Sequence, residues 1–238
     1  MSIVSAWIQQ KVHHGWRDFS GIIFPRYCAA CGNSLLSKEK TICLQCLHEI
    51  PRTGFDQIPD NPMAQLFWGR CPIENAAAWF TFMEGSRYQK MLHLMKYKGR
   101  KDIALNLGIY FGAELSRTLF AGADLMIPVP LHPEKLHQRG YNQSEYIAQG
   151  MSVYLKKPVN TSSLSRKVAN PTQTRKSGFD RWENVEGIFM VSEPEKLKEK
   201  HILLVDDVVT TGATMDACAN ALLQIPGVRV SLVSLAIV

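Results

Sequence analysis

The stretch "ILLVDDVVTTGAT", residues 202–214, decides how this chain is read. Ile202 to Val205 is an uninterrupted apolar run, the pattern of a strand buried on both faces. Asp206 and Asp207 follow, where that strand is expected to leave the sheet. Thr210, Thr211, Gly212, Ala213 and Thr214 then read as a turn that runs into a helix at Met215. The first amides of a helix have no internal partners, point outward and sit at the positive end of its dipole, which makes a seat for an anion. Threonine hydroxyls add donors, and Gly212 lets the backbone approach the anion closely. The two carboxylates would repel that anion, so they must serve another part of the same ligand. Carboxylates accept hydrogen bonds from vicinal hydroxyls. A phosphate on one side and a diol on the other describe a sugar 5-phosphate. The plain alternative is a helix start capped by Asp and Thr with no ligand. One Asp would suffice for that, and a second adjacent charge would only cost stability. The chain holds neither the Gly-x4-Gly-Lys-Ser/Thr of a P-loop nor the Gly-x-Gly-x2-Gly of a dinucleotide turn.

Outward from this stretch, strands alternate with helices. "AAAWFTFMEG" (76–85) suits a strand. Tyr88, Met91, Leu92 and Met95 fall at helical spacing, with Gly99 as a stop. A second helix is expected from about Asp102 to Leu119, with Ile103, Leu107, Phe111 and Leu115 on one side. "ADLMIPVPL" (123–131) is a short strand that must end at Pro128 and Pro130, which cannot donate to a ladder. A further helix is signalled by Asn142 with Glu145 in a capping-box spacing and by an apolar face of Tyr146, Ile147, Met151 and Tyr154. Residues 164–184 are polar and basic and read as a long loop. After the strand "KHILLVDD" come a helix over Thr214–Gln224, with Cys218 on its apolar face, and a last strand, "VRVSLVSLAIV". The expected architecture is α/β: a mostly parallel sheet flanked by helices on both faces, with ligands beyond the carboxyl ends of its strands.

The sequence has 238 residues and a net charge of +6, with a pI near 9.0. That balance suits a polyanionic partner, either nucleic acid or a phosphorylated small molecule. No apolar run approaches the roughly 20 residues of a membrane helix, and the N-terminal stretch lacks the pattern of a secretory signal. A cytoplasmic, reducing setting is therefore expected, with no membrane insertion, and it governs the six cysteines. Cys28-x2-Cys31 and Cys43-x2-Cys46 are two thiolate knuckles that together form a tetrahedral sulfur cage suited to Zn2+. With all four positions filled by sulfur, such a metal is structural. Two disulfides are the alternative, disfavoured by the compartment. Cys71 is left without a partner. The expected organisation is an N-terminal helical segment (1–23), a four-Cys module (24–50), a linker rich in Pro, Asp, Asn and Gly (51–75) and an α/β domain (76–238).

"ILLVDDVVTTGAT" resembles the 5-phosphoribosyl 1-diphosphate (PRPP) signature of type I phosphoribosyltransferases. "IPVPLHPEKLHQRGYNQ", "LMKYKGR" and the four-Cys module are similar to the ComF family, which includes ComFC and GntX-like proteins. The resemblance implies a type I phosphoribosyltransferase-like sheet with a small N-terminal zinc-ribbon module. It implies that Asp206 and Asp207 hold the ribose hydroxyls and that Thr210–Thr214 hold the 5-phosphate. It places the diphosphate on Pro130, Leu131 and His132, with Arg139 as a nearby cation and Mg2+ bridging diphosphate and sugar. The implied activity is pentosyl transfer: a nitrogen nucleophile displaces diphosphate from PRPP, with Asp206 and Asp207 as the catalytic acids and Asp207 as the better-placed general base. The loop 169–182 would close over the substrate, with Gln173, Arg181 and Asn184 at recurring polar positions. The alternative implied by the family is a non-catalytic PRPP- or anion-binding module for single-stranded DNA and a helicase-like protein in competence and DNA uptake. Two cation clusters fit either reading, or a solvated face: Arg87, Lys90, Lys96, Lys98, Arg100 and Lys101, and then Arg166, Lys167, Arg175, Lys176 and Arg181.

Overall fold

The structure, a computed structural model, describes residues 25–166 and 188–238. The segment 1–23, the loop 169–182, and Lys167, Gln173, Arg175, Lys176, Arg181 and Asn184 lie outside the described residues. In chain order the regular elements are α1 (Leu44–His48), α2 (Pro62–Gln65), β1 (Ala76–Thr81), α3 (Arg87–Tyr97), α4 (Lys101–Leu115), β2 (Leu125–Pro128), α5 (Pro133–Arg139), α6 (Gln143–Leu155), β3 (Leu164–Arg166), β4 (Phe189–Val191), β5 (His201–Val209), α7 (Ala213–Leu223) and β6 (Arg229–Ile237). Among the described residues no helix is long and apolar enough to cross a membrane.

Four strands form a parallel sheet in the order β1-β6-β5-β2. The register pairs Leu204 with Leu232 and Val205 with Val233. It also pairs Leu125 with Ile202 and Ala76 with Leu232. Alternate residues supply two cores, one on each face of the sheet. Ala77, Trp79, Met126, Leu203, Val205 and Val233 pack with α3, α4, α6 and the four-Cys segment. Ala76, Ala78, Ile127, Ile202, Leu204 and Leu232 pack with α7 and with Met63 and Phe67. Burial on both faces is why these strands read as continuous apolar runs.

The helices obey their sequence signals with local corrections. Ser86 caps α3 by accepting from the Gln89 amide, and Tyr88, Met91, Leu92 and Met95 are buried. Helix α4 stops at Leu115 rather than Leu119. There the Ser116 and Thr118 hydroxyls donate to the Ala113 and Leu115 carbonyls at 2.8 and 2.9 Å and satisfy the helix end. Asn142 does cap α6, accepting from the Ser144 amide at 3.1 Å. Glu145 does not complete a capping box, because it accepts from Gln149 one turn on. Tyr154 is exposed, so the buried face of α6 runs through Ile147, Gly150, Met151 and Leu155 instead. Part of the expected 164–184 loop is strand: β3 pairs antiparallel with β4, anchored by buried Leu164 and Phe189.

Residues 51–75 carry more structure than their composition announces. Asn61 is 1% exposed. Its carbonyl oxygen accepts from the Met63 and Ala64 amides, and its amide donates to the Phe55, Ile58 and Ala76 carbonyls. One side chain thereby caps α2 and ties it to the start of β1. Met63 and Phe67 follow into the core.

Helices α4 and α6 approach through glycines. A Cβ added at Gly150 would lie 2.2 Å from the Leu105 carbonyl oxygen, and one at Gly108 would lie 2.2 Å from that of Ile147. These are backbone atoms, so no side chain can yield. Gly150→Ala is expected to lower Tm by roughly 5 °C or more. Gly122→Ala, where nothing lies within 4 Å of the added methyl, is expected to leave Tm nearly unchanged. Thermal melts of both variants check this, and an unchanged Tm for Gly150→Ala would contradict the packing described.

Candidate functional site

The acids lie inside β5, not beyond its end. Asp206 is in register with Ser234, and Val208 and Val209 still pair with Ala236 and Ile237. The ladder persists because β6 runs on to Ile237 and the Val238 amide donates to the Val209 carbonyl at 3.0 Å. The acids therefore project from a fixed backbone. Asp206 Oδ1 accepts from the Ser144 hydroxyl at 3.0 Å and from the Asp207 amide at 2.8 Å. Asp207 Oδ2 lies 3.2 Å from Lys96 Nζ. Burial first, and then repulsion from Asp207, push the Asp206 carboxyl up to about 7; the Asp207 amide, Ser144 and Lys96 oppose the shift.

The turn after β5 does run into a helix, but that helix begins earlier than expected. Gly212, at φ 74°, is the cap, and α7 starts at Ala213 rather than Met215. The Ala213 amide reaches Thr211 Oγ1 at 3.4 Å, and the ladder of α7 begins with the Asp216 amide on the Gly212 carbonyl. Thr210, Thr211, Ala213 and Thr214 are exposed, while Gly212 is buried on its inner side. A Cβ there would meet Phe67 Cζ at 3.0 Å. Both the left-handed backbone and the aromatic floor therefore call for glycine.

Strand β2 lies beside β5, and the Val129 amide donates to the Val205 carbonyl at 2.8 Å. Pro130, Leu131 and His132 therefore leave the same edge of the sheet as the acids and the turn. His132 Nδ1 accepts from the Glu134 amide at 3.3 Å and caps α5. Arg139 ends α5, with its guanidinium 5.3 Å from the centre of the Tyr97 ring on α3. Asn142 donates to the Val129 carbonyl at 3.0 Å, which joins the start of α6 to the end of β2 and brings Ser144 to Asp206. The first cation cluster is partly engaged. Lys96 pairs with Asp207, Arg100 with Asp102 and Arg87 with Glu49, and Lys101 sits over Tyr141 and Tyr146.

Four residues at this edge were not read from the sequence as neighbours of the acids or the turn: Lys96, Ser144, Phe67 and Arg70. Arg70 donates to the Thr211 carbonyl at 2.9 Å and to Asp216 Oδ2 at 3.1 Å. Lys96 sits one position after buried Met95, and Ser144 two positions after the Asn142 cap. Lys96 also belongs to the first cation cluster; nothing else in the sequence points to either residue.

On the α3 side of the sheet, the Sγ atoms of Cys28, Cys31, Cys43 and Cys46 all lie within 4.8 Å of one another. The Cys31–Cys43 separation is 3.8 Å. That is the edge of a tetrahedron with metal–sulfur bonds of about 2.3 Å. Gly32, at φ 82°, turns the first knuckle. Amides of Cys43 and Cys46 donate to the sulfurs of Cys28 and Cys43, and Arg87 reaches Cys46 Sγ at 3.5 Å. Burial resists ionisation of Cys28, yet backbone donors bring its thiol down to about 7. The donor set could hold a metal such as zinc. The module docks on α3, where the Tyr88 hydroxyl donates to the Cys46 carbonyl at 2.9 Å.

The phosphoribosyl transferase domain family matches residues 105–236. "DNA utilization protein YhgH" of Shigella flexneri is 28% identical over 205 residues, covering 83% of this chain and 84% of that protein. "Competence protein F" of Haemophilus influenzae is 33% identical over 101 residues, covering 42% and 44%. Among solved structures, the glutamine phosphoribosylpyrophosphate amidotransferase of B. subtilis, complexed with ADP and GMP, aligns with a TM-score of 0.41 at 18% identity. That alignment covers 59% of this chain and 30% of that one.

The raised carboxyl of Asp206 has a consequence for stability. Between its ordinary value of 3.8 and about 7, the folded chain keeps a proton that the unfolded chain has lost. Its contribution to stability is therefore largest at low pH and is lost as pH rises through about 7. Asp206→Asn removes that loss. The variant is expected to exceed the parent in Tm at pH 8, by about 2–4 °C for each kcal/mol recovered, with the gain shrinking toward pH 5. A gain that does not change with pH would contradict the raised carboxyl.

Proposed function

The chain belongs to the phosphoribosyl transferase domain family, and on that premise we propose that it binds PRPP across the carboxyl edge of its sheet. It then transfers the phosphoribosyl group to a nitrogen nucleophile. The observation that carries this reading is the placement of two acids, an exposed threonine turn and the Pro130–His132 loop on two adjacent parallel strands. A 5-phosphate fits Thr210, Thr211, Gly212, Ala213 and Thr214; the ribose hydroxyls fit Asp206 and Asp207; the diphosphate fits Pro130, Leu131 and His132. Arg139, now over the Tyr97 ring, is the cation we assign to the diphosphate. The oxygen donors at this edge are the set that Mg2+ takes, and Mg2+ arriving with PRPP would offset the charge of the diphosphate.

In the reaction, the bond from the anomeric carbon to the diphosphate oxygen breaks as the bond to nitrogen forms. Positive charge develops on the sugar, and the fixed carboxylates of β5 stabilise it without reorganising. A proton leaves the nucleophile. Asp206, whose carboxyl burial pushes up to about 7, is the acid we assign to accept it. The four cysteines would hold a structural Zn2+ in a reducing, cytoplasmic setting, and the ion would supply most of the folding energy of residues 24–50.

A second reading starts from relatives named for DNA utilization and competence. It is a non-catalytic PRPP- or anion-binding module that engages single-stranded DNA and a helicase-like partner in competence. The net charge of +6 supports it. The local pairing of Lys96, Arg100 and Arg87 weakens it.

Calorimetry with PRPP and Mg2+ is expected to give saturable binding that falls about tenfold or more in Asp206→Asn/Asp207→Asn. Diphosphate release with a panel of nitrogen bases separates the two readings. Release supports transfer. Binding without release, together with salt-dependent retention of single-stranded DNA, supports the module. Metal analysis is expected to find about one zinc per chain, lost with unfolding of the module in Cys28→Ser/Cys31→Ser; a metal-free, fully folded protein would remove the zinc assignment.

A further inference from the structure

We propose that Arg70 is the positioning residue that aims the phosphate turn, an inference that rests on the sugar-phosphate reading and extends it. Arg70 lies 141 positions before Thr211 in the chain. It is brought there by the anchored segment described above, with Asn61 capping α2 and Met63 and Phe67 wholly buried behind it. Its guanidinium is set in place from its own side, because Nη1 also donates to the Leu66 carbonyl at 3.1 Å.

Two contacts then act on the turn. Nη1 donates to the Thr211 carbonyl at 2.9 Å. The Thr211–Gly212 peptide is trans, as are all the described peptides. Its N–H therefore points opposite to its carbonyl. With the carbonyl drawn to Arg70, the Gly212 amide faces away from Arg70, and it takes no partner among the described residues. The turn cannot relax inward, since the ring of Phe67 closes the space beneath Gly212. Second, Nη2 pairs with Asp216 Oδ2 at 3.1 Å, while Asn220 donates to Oδ1 of the same carboxylate at 3.1 Å. Asp216 stands in the first turn of α7, where an uncompensated carboxylate would repel an incoming phosphate. Arg70 thus orients a donor and offsets a misplaced charge without itself needing to touch the ligand.

The test uses the full chain with its metal and two probes that differ in which end of PRPP they represent: ribose 5-phosphate, and inorganic diphosphate with Mg2+. Calorimetry is expected to show ribose 5-phosphate weakened about tenfold to hundredfold by Arg70→Ala, with diphosphate unchanged within about twofold. Arg70→Lys, a single-point donor, should fall between parent and alanine. Arg70→Ala/Asp216→Asn should recover only part of the loss, because the repulsion is removed but the peptide is no longer held. Should Arg70→Ala fail to fold, Arg70→Gln is measured in the same way. Equal losses for both probes would mean a general loss of structure and would overturn the proposal. Unchanged binding of ribose 5-phosphate would overturn it while leaving the PRPP reading intact. Failure of the parent chain to bind either probe would remove both.

Discussion

The ladder between β5 and β6 is the constraint on which the rest depends. Its register carries through Val209, so both acids are mounted on a backbone with no freedom to turn. Leu203, Leu204 and Val205 lock that backbone from both faces. The charges at the edge are then arranged around a fixed point: Ser144 from α6 and Lys96 from α3 come to the acids. Two neighbouring carboxylates are costly in a half-buried site. The structure meets that cost with a hydroxyl, an amide and an ammonium, and with an Asp206 carboxyl pushed up to about 7.

What surrounds the edge is set by close helix packing and by the N-terminal third of the chain. The glycine-lined contact of α4 with α6 brings the start of α6, and hence Ser144, down to the sheet. The four-Cys module buttresses α3 through Tyr88 and Arg87, and α3 carries Lys96. The four-Cys cluster is thus linked through one helix to the counter-ion of Asp207. On the opposite face, residues 61–71 support the turn from below.

Much of this was legible in the sequence for physical reasons. Strands buried on both faces are apolar runs, and Ile202–Val205 announced β5. Helix α3 announced itself by four buried positions at helical spacing, and the paired knuckles by their cysteine intervals. The turn after β5 could be read because Thr and Gly cluster where a strand passes into a helix, whereas the acids, expected at the end of the strand, lie within it. The contacts that tune them could not be read. Lys96, Ser144 and Arg70 reach their partners across 111, 62 and 141 positions, and nothing local marks them. Composition also misled: Pro, Asp, Asn and Gly in 51–75 read as a loop, yet Asn61 organises a buried corner there. Where Tyr154 was expected inside, the glycine at 150 occupies the buried face because the neighbouring helix comes too near for a larger residue.

The strand order carries an implication for how the molecule is assembled. β6 is the last strand in the chain, yet it lies between β1 and β5. β1 has no partner in the sheet until β6 is in place, and the two cores cannot be sealed before then. Nearly all of the polypeptide precedes β6, so the edges of β1 and β5 that it joins stay bare until it docks. Such long-range closure makes acquisition of the native state slow and the half-made chain prone to self-association.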